Sequence, residues 1–298
     1  MSTDWVPLTW SMIMNRGSLR SLENLFRGLS CLFAIFVIGA STLLCTGHYL
    51  IGGLIFLSAI VGVFAVSKKM VFWWPRKRGS RPRVLMFHAV SDDVKTDTAP
   101  NNTLRPDTLR LLIQDLLASG YTFQTLHEAF ETPNNKKRVV VLTFDDGYVD
   151  NYTTLLPILR EFQVKATVFI TDIRTEEYLS DAQIMEMHAS GLIEFGGHTQ
   201  NHVNLAACED ATARQEIEKN YDSIKRLLGY SPTSFAYPFG KYTTRDRDLL
   251  EEIGYRFAVT TKKKFFTADL LQIERQIIPR KASRFMAYLL ATRGKCNI

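Results

Sequence analysis

Cysteine is scarce in this chain and does not occur in the pairs that build disulfide or zinc scaffolds. The 298 residues contain four cysteines with no C-x-x-C pair, at positions Cys31, Cys45, Cys208 and Cys296. This scarcity excludes a disulfide-stabilised scaffold and a zinc ribbon. Hydrophobic residues make up 46% of the chain and charged residues 22%, which excludes a disordered or fibrous protein and is typical of a globular one.

The larger part of the chain lacks the basic excess of a nucleic-acid-binding protein. The formal net charge is +6, but residues 1–83 hold 10 of the 36 Lys and Arg against only two acidic residues. Residues 84–298 therefore contain 26 basic and 28 acidic residues and are slightly acidic. Because binding to nucleic acid depends on a positive surface, we expect no nucleic-acid partner.

Two apolar runs near the N-terminus, Leu29–Cys45 and Leu50–Val66, contain no charged residue. Each has 17 residues, near the lower limit for a helix that crosses a bilayer at ~1.5 Å per residue. A short turn separates them, so residues 29–66 are predicted to form a transmembrane hairpin between a basic arm (1–28) and a basic juxtamembrane linker (67–83). The positive-inside rule then places both ends, and residues 84–298, on the cytoplasmic side of the cell (inner) membrane.

Two alternatives to this hairpin stay open. Basic residues before the first apolar run also fit a cleaved signal peptide. A domain outside the cell would require one of the two runs not to span the bilayer, and large domains can be translocated despite flanking charge.

From residue 84 onward, short apolar and β-branched runs alternate with helical patterns. The seven runs are Val84–Phe87, Val139–Phe144, Ala166–Ile170, Leu192–Phe195, Ser234–Tyr237, Arg256–Val259 and Gln276–Ile278. Four of the helical segments between them are followed by a glycine, the residue that favours a left-handed helix cap. The alternation predicts one parallel α/β domain of the barrel type over residues 84–298, in which reactive residues gather where strands end.

Polar residues follow three of these runs, two of them directly and the third after Gly196-Gly197. Asp145-Asp146-Gly147 follows one strand, and adjacent carboxylates there point apart, so that one can bind a metal while the other faces the metal-bound water; a simple turn is the alternative. His198 and His202 are four residues apart and can face one cation, or can be surface histidines. His88 follows the first strand and is either a core histidine or an acid that titrates near neutral pH.

These residues resemble the polysaccharide deacetylase family, the NodB-homology domain of carbohydrate esterase family 4, over about residues 83–282. The likeness rests on Thr143-Phe144-Asp145-Asp146-Gly147 and on His198-Thr199-x-x-His202. It implies a NodB-type distorted (β/α)7 barrel. It also implies that Asp145 is the catalytic base and that Asp146, His198 and His202 bind a divalent metal ion, with zinc expected first and cobalt, nickel or iron as alternatives.

The third family motif is matched only in part. Ala236 stands where the family has an arginine that braces the base, and we expect Arg280 to supply that charge. A late tryptophan motif is also absent, since every tryptophan lies at or before position 74. Phe235-Ala236-Tyr237-Pro238 is similar instead to the subgroup that deacetylates poly-β-1,6-N-acetylglucosamine, whose acid histidine comes from the first strand; this implies that His88 is the general acid.

Together with the predicted hairpin, the resemblance implies a membrane-anchored, metal-dependent hydrolase that removes N-acetyl groups from an amino sugar in a polysaccharide or a lipid-linked saccharide. Supporting residues are a backbone N–H near Tyr148 for the oxyanion, and an aromatic platform for a sugar ring made of Tyr148, Tyr237 and Phe239 beside Pro238. The alternatives are a deformylase or deacylase of a lipid-linked sugar, and an inactive protein that binds glycans or assembles a membrane complex.

Overall fold

The computed structural model describes residues 81–92, 103–131, 138–261 and 269–293. Residues Ser80–Asn297 form one compact unit. The predicted basic arm and transmembrane hairpin lie outside the described residues. Among the residues that are described, no helix is both long enough and apolar enough to cross a bilayer.

A sheet of nine parallel strands forms the centre of the described structure. The strands are β1 Arg83–Phe87, β2 Tyr121–Phe123, β3 Arg138–Phe144, β4 Ala166–Ile170, β5 Ile193–Gly197, β6 Ser234–Ala236, β7 Phe257–Thr260, β8 Ile273–Glu274 and β9 Gln276–Ile277. All seven predicted strands are present. The short strands β2 and β8 were not predicted.

The stretch from β8 to β9 closes the sheet into a nearly complete barrel. The strand order is β8-β7-β6-β5-β4-β3-β1-β9, with β2 beside the first half of β3. Only Arg275 separates β8 from β9, so one short segment pairs with β7 at Val259 and with β1 at Leu85. The prediction of a barrel is therefore confirmed, and its closure places Arg275 between the two edge strands.

Seven helices are described around the sheet. They are α1 Pro106–Ala118, α2 Leu126–Glu131, α3 Leu156–Phe162, α4 Asp181–Ala189, α5 Asp210–Leu228, α6 Thr244–Ile253 and α7 Arg284–Arg293. Gly229 and Gly254 end α5 and α6 in the left-handed conformation, with φ of 75° and 114°. The sequence pattern predicts helices over Pro106–Ser119, Asp150–Phe162, Asp181–Ser190, Asp210–Leu228 and Arg245–Ile253, which match α1 and α3–α6. Helices α2 and α7 were not predicted.

Alternation along β3 shows how the barrel aims its reactive residues. Val140 and Leu142 belong to the hydrophobic cluster that the outer helices cover, whereas Val139 and Val141 belong to a second cluster with α2. Because side chains on a strand alternate between faces, Thr143 and Asp145 continue the inner face. The strand therefore places the carboxylate of Asp145 inside the barrel, at the end where the carboxyl ends of the strands meet.

Candidate metal centre

The turn after β3 separates the two adjacent aspartates. The backbone N–H of Asp145 donates to the carbonyl O of Phe87 at 3.0 Å, which keeps Asp145 in line with the sheet. Asp146 and Gly147 then take φ values of 74° and 75°. A Cβ at position 147 would lie 2.9 Å from Cγ2 of Ile170, so only glycine fits this sharp turn. The side chains of Asp145 and Asp146 consequently point in different directions.

The loop after β5 carries both candidate histidine ligands. Thr199 and His202 have positive φ values of 65° and 55°, which are uncommon for residues other than glycine. The Nδ1 atom of His198 lies 2.7 Å from the carbonyl O of Ala236. Because a carbonyl oxygen only accepts, Nδ1 of His198 carries the proton in the neutral ring and leaves Nε2 as an electron-pair donor.

Asp146, His198 and His202 converge on one point. The Oδ1 atom of Asp146 is 3.3 Å from Nε2 of His198 and 3.3 Å from Nε2 of His202. The three candidate ligand atoms all lie within 4.8 Å of one another. Oδ1 of Asp146 is buried and has no hydrogen-bond partner among the residues that the structure describes. A buried anionic oxygen that faces two imidazole nitrogens fits a divalent cation with open positions, of the kind zinc and related metals occupy.

The pKa values of these groups show that the point attracts positive charge. Burial raises the pKa of Asp146, but His198, His88 and His202 together lower it by more, so it lies well below its ordinary value. Burial lowers the pKa of His198, but Asp146 and Asp145 raise it by more. Burial and His198 together lower the pKa of His202 to about 4, so its ring is neutral at pH 7. Asp146 is therefore ionised at pH 7 and offers its negative charge to a cation.

Arg275 holds the other aspartate, and sequence reasoning missed it. Its Nη1 and Nη2 atoms each donate to one carboxylate oxygen of Asp145 at 2.6 Å, and the two side chains are only 1% and 4% exposed. Burial raises the pKa of Asp145, but the charge and hydrogen bonds of Arg275 lower it by more. Asp145 is therefore ionised at neutral pH, in the form that accepts a proton.

The prediction that Arg280 would supply this charge was wrong. The guanidinium of Arg280 instead donates to the backbone carbonyls of Ser91 and Asp92, both at 3.1 Å. The prediction chose the arginine on the wrong side of the last strand. Strand β9 covers only Gln276 and Ile277, and Arg275, which directly precedes it, faces the barrel interior. Arg280 lies three residues beyond the end of the strand. The available signal was an arginine directly preceding a predicted buried strand, where only a buried acid could balance its charge.

His88 lies near the other carboxylate oxygen of Asp146 from the one that faces the two histidines. Its Nε2 atom is 4.0 Å from Oδ2 of Asp146, and its side chain is 14% exposed. The side-chain amide of Asn151, which is fully buried, donates to the backbone carbonyl of His88 at 3.1 Å. Asn151 was not predicted, and it ties the end of β1 to the turn after β3.

The aromatic side chains near the centre do not all face the cleft. Phe239 is 59% exposed, and its ring lies 4.6 Å from that of His202. Tyr148 is mostly buried and stacks on Tyr178 at 5.2 Å. Tyr237 is fully buried, stacks on another tyrosine, and donates its hydroxyl to the carbonyl O of Leu271 at 3.1 Å. Tyr237 therefore supports the Pro238–Gly240 turn from below, and its predicted part in a platform is corrected.

A cleft of about 550 Å³ opens over these residues, and its walls include His88, Asp145, Asp146, His198, His202 and Phe239. The cleft contains the ionised carboxylate of Asp145, the three candidate metal ligands and the imidazole of His88. A base, a Lewis-acid position and a candidate acid in one cleft are the elements of metal-assisted hydrolysis.

Comparisons with known proteins agree with this geometry. Residues 132–258 match the family model described as polysaccharide deacetylase. A peptidoglycan-N-acetylglucosamine deacetylase of Bacillus cereus is 33% identical over 149 residues, which are 49% of this chain and 64% of that protein. A poly-β-1,6-N-acetyl-D-glucosamine N-deacetylase of Staphylococcus epidermidis is 25% identical over 187 residues, 57% of this chain and 65% of that protein. The chain thus spans just under two thirds of both.

A solved structure extends the comparison to the whole barrel. The deacetylase PplD of Streptococcus pyogenes, determined in complex with acetate, superposes with a TM-score of 0.63 at 28% identity. The superposition covers 71% of this chain and 97% of PplD. Residues 132–258 therefore match the polysaccharide deacetylase family, and the described barrel is similar to that of a deacetylase.

Proposed function

We propose that this chain is a metal-dependent N-deacetylase of an N-acetylated amino-sugar glycan. The observation that carries the proposal is the convergence of Asp146, His198 and His202 beside the ionised Asp145. An inactive glycan-binding protein would have no need of a buried carboxylate held ready by an arginine next to a cation site. The relatives' names, which specify N-acetylglucosamine in peptidoglycan and in a β-1,6-linked polymer, support the substrate class.

The residues of the chain divide the reaction among them. When bound by Asp146, His198 and His202, a divalent cation supplies Lewis acidity, which acidifies water and polarises a carbonyl. Asp145 accepts the proton of the water that attacks the acetyl carbon. The backbone N–H of Tyr148, next to the turn, is our candidate donor to the oxyanion. His88 gives a proton to the sugar nitrogen as the carbon–nitrogen bond breaks, which releases acetate and a free amine.

The rim of the cleft suits a saccharide. Phe239 is held with a φ of 58° on the turn after β6, so that a large apolar ring stays exposed directly beside His202. Sugar rings pack their C–H faces on such rings. We therefore propose Phe239 as the platform, with Tyr148 as part of the wall.

We also propose that residues 29–66 anchor the enzyme in the cell membrane with its catalytic domain on the cytoplasmic side. The support is sequence alone: two uncharged runs with basic flanks. A domain on that side would meet a lipid-linked saccharide, whereas a domain outside would meet exported polysaccharide or peptidoglycan. A reporter fused after residue 298 tests the sidedness, and a signal from outside the cell would overturn it.

The activity is tested with the full chain, stripped of metal and reloaded with Zn²⁺ or Co²⁺. Acetate release is measured on β-1,6-linked and β-1,4-linked N-acetylglucosamine oligomers, peptidoglycan fragments and a lipid-linked N-acetyl sugar, with N-formyl analogues alongside. We expect acetate release from at least one substrate, and its loss in Asp145→Asn with Co²⁺ binding retained. Faster release of formate than of acetate would favour the deformylase alternative, and no release from any substrate would refute the proposal.

A further inference from the structure

One turn of helix α5 reaches the loop that carries both candidate histidine ligands. Glu216 and Asn220 are four residues apart and therefore lie on the same face of the helix. Both side chains are buried, at 7% and 0% exposure, although their polar groups must then find partners. The hydrogen-bond partners of the two side chains lie in the histidine loop or at and just after the end of β4.

Asn220 holds the first histidine. Its Oδ1 atom accepts the backbone N–H of His198 at 2.9 Å. Its Nδ2 atom donates to the carbonyl O of Ile170 and to Oδ1 of Asp172, each at 3.1 Å. One amide thus fixes the start of the loop against the neighbouring strand.

Glu216 holds the middle of the loop. Its Oε2 atom accepts the backbone N–H of Asn201 at 2.8 Å, and its Oε1 atom accepts the side-chain Nδ2 of the same residue at 2.7 Å. The backbone carbonyl of Glu216 also accepts the N–H of Gln200 at 3.0 Å. Among the described residues no lysine or arginine is paired with this carboxylate, so its oxygens are satisfied by the amides of Asn201.

The loop between these contacts needs external support. Thr199 and His202 both have positive φ, and such residues persist only where the surroundings impose the conformation. His202 follows Asn201 directly, so the position of its ring depends on how firmly Asn201 is held. Without these hydrogen bonds the loop could adopt other backbone conformations, and Nε2 of His202 would move away from its position 3.3 Å from Oδ1 of Asp146.

We propose that Glu216 is a positioning residue for the metal centre, which acts through Asn201 to hold His202 at the spacing that a shared cation requires. The inference rests on the proposed metal-dependent function, since it assumes that the three ligands bind a cation. Glu216 touches neither substrate nor cation. Groups that orient metal ligands in this way typically change metal affinity 10–100-fold when they are replaced.

The test is a titration of the metal-free full chain with Co²⁺ alone, followed by the visible absorption of the bound ion. Glu216→Gln keeps the size of the side chain but replaces one acceptor oxygen by an NH₂ group. Because Asn201 offers N–H donors to both positions, one of the two hydrogen bonds becomes a donor–donor contact. We expect a roughly 10-fold or greater loss of Co²⁺ affinity and a changed absorption spectrum. Glu218→Gln is the matched control, because Glu218 lies on the same helix and pairs with Arg214 on the surface. It should bind Co²⁺ as the unaltered chain does.

The outcomes separate the two proposals. Failure of the unaltered chain to bind Co²⁺ would overturn the proposed function itself. If the unaltered chain binds but Glu216→Gln gives the same affinity and spectrum as Glu218→Gln, the positioning role is overturned and the metal centre stands. Should Glu216→Gln not fold, as judged by its melting temperature without metal, Asn201→Ala decides in its place. Asn201 is exposed, and its replacement removes one of the two hydrogen bonds to Glu216; unchanged affinity would overturn the inference.

Discussion

The buried pair of Arg275 and Asp145 allows a quantitative prediction about the metal-free protein. Arg275→Met keeps most of the side-chain volume but removes both 2.6 Å hydrogen bonds and leaves the carboxylate buried without its counter-charge. Removing one partner of a buried ion pair costs about 3–5 kcal/mol. For a domain of roughly 150–250 residues, 1 kcal/mol lowers the melting temperature by about 2–4 °C. We therefore expect the variant to melt ~6–20 °C lower at neutral pH.

The sign of the pH dependence follows from the pKa of Asp145. This pKa is lowered in the folded chain, because Arg275 outweighs the opposing effect of burial. The stability that such a carboxylate contributes is present above its unfolded pKa and is lost as the pH falls through the folded pKa. Without Arg275, burial dominates and raises the pKa of Asp145. The variant's deficit in the free energy of unfolding should therefore be full near pH 7 and shrink in mild acid, where Asp145 takes up a proton.

The assay is thermal and urea unfolding of metal-free protein over a series of pH values, with acetate release measured separately after metal is restored. Arg280→Met serves as the control, since that guanidinium donates to the backbone carbonyls of Ser91 and Asp92 and not to Asp145. Arg275→Lys keeps the charge but loses the two-pronged contact, so its deficit should be intermediate. A deficit for Arg275→Met below about 1 kcal/mol at pH 7, or one that grows in acid, would show that the pair does not hold Asp145 ionised.

Three further predictions concern the turn, the ligands and the rim. Gly147→Ala should cost more stability in urea unfolding than Gly120→Ala by about 1–3 kcal/mol, because both have φ of 75° but only at 147 would the Cβ meet a neighbour, Ile170; equal losses would contradict this. His198→Ala should abolish stoichiometric Co²⁺ binding in the titration, and retained binding would show that the cation lies elsewhere. Phe239→Ala should raise KM about 3- to 10-fold with little change in kcat if the ring packs on the sugar in the ground state; a fall in kcat alone would exclude a platform.

The local order of residues was enough to predict the barrel and the residues at its mouth. Apolar β-branched runs of three to six residues encode buried strands, and the chemistry-bearing residues at 88, 145, 146 and 198 follow such runs within three residues. Parallel strands bring such ends together whatever lies between, because their carboxyl ends share one rim. For that reason the meeting of Asp146, His198 and His202 followed from sequence spacing, once a parallel α/β domain was inferred.

Contacts made across the barrel escaped this reasoning. Strands β8 and β9 have two residues each, too few for an alternating pattern, and their double pairing alone decides that Arg275 faces inward. Asp145 and Arg275 are 130 residues apart, so no spacing rule connects them. The same holds for Glu216, which reads as one acid among several on a surface helix until the fold brings it against Asn201.

The sequence by itself determined which residues supply the chemistry, since apolar runs, glycine turns and short histidine spacing are local properties. The tertiary structure decided which groups hold those residues in place: Arg275 rather than Arg280 beside the base, and Tyr237 beneath the rim rather than on it. These choices depend on which side chains closure of the barrel buries together, and burial is a property of the whole packed chain.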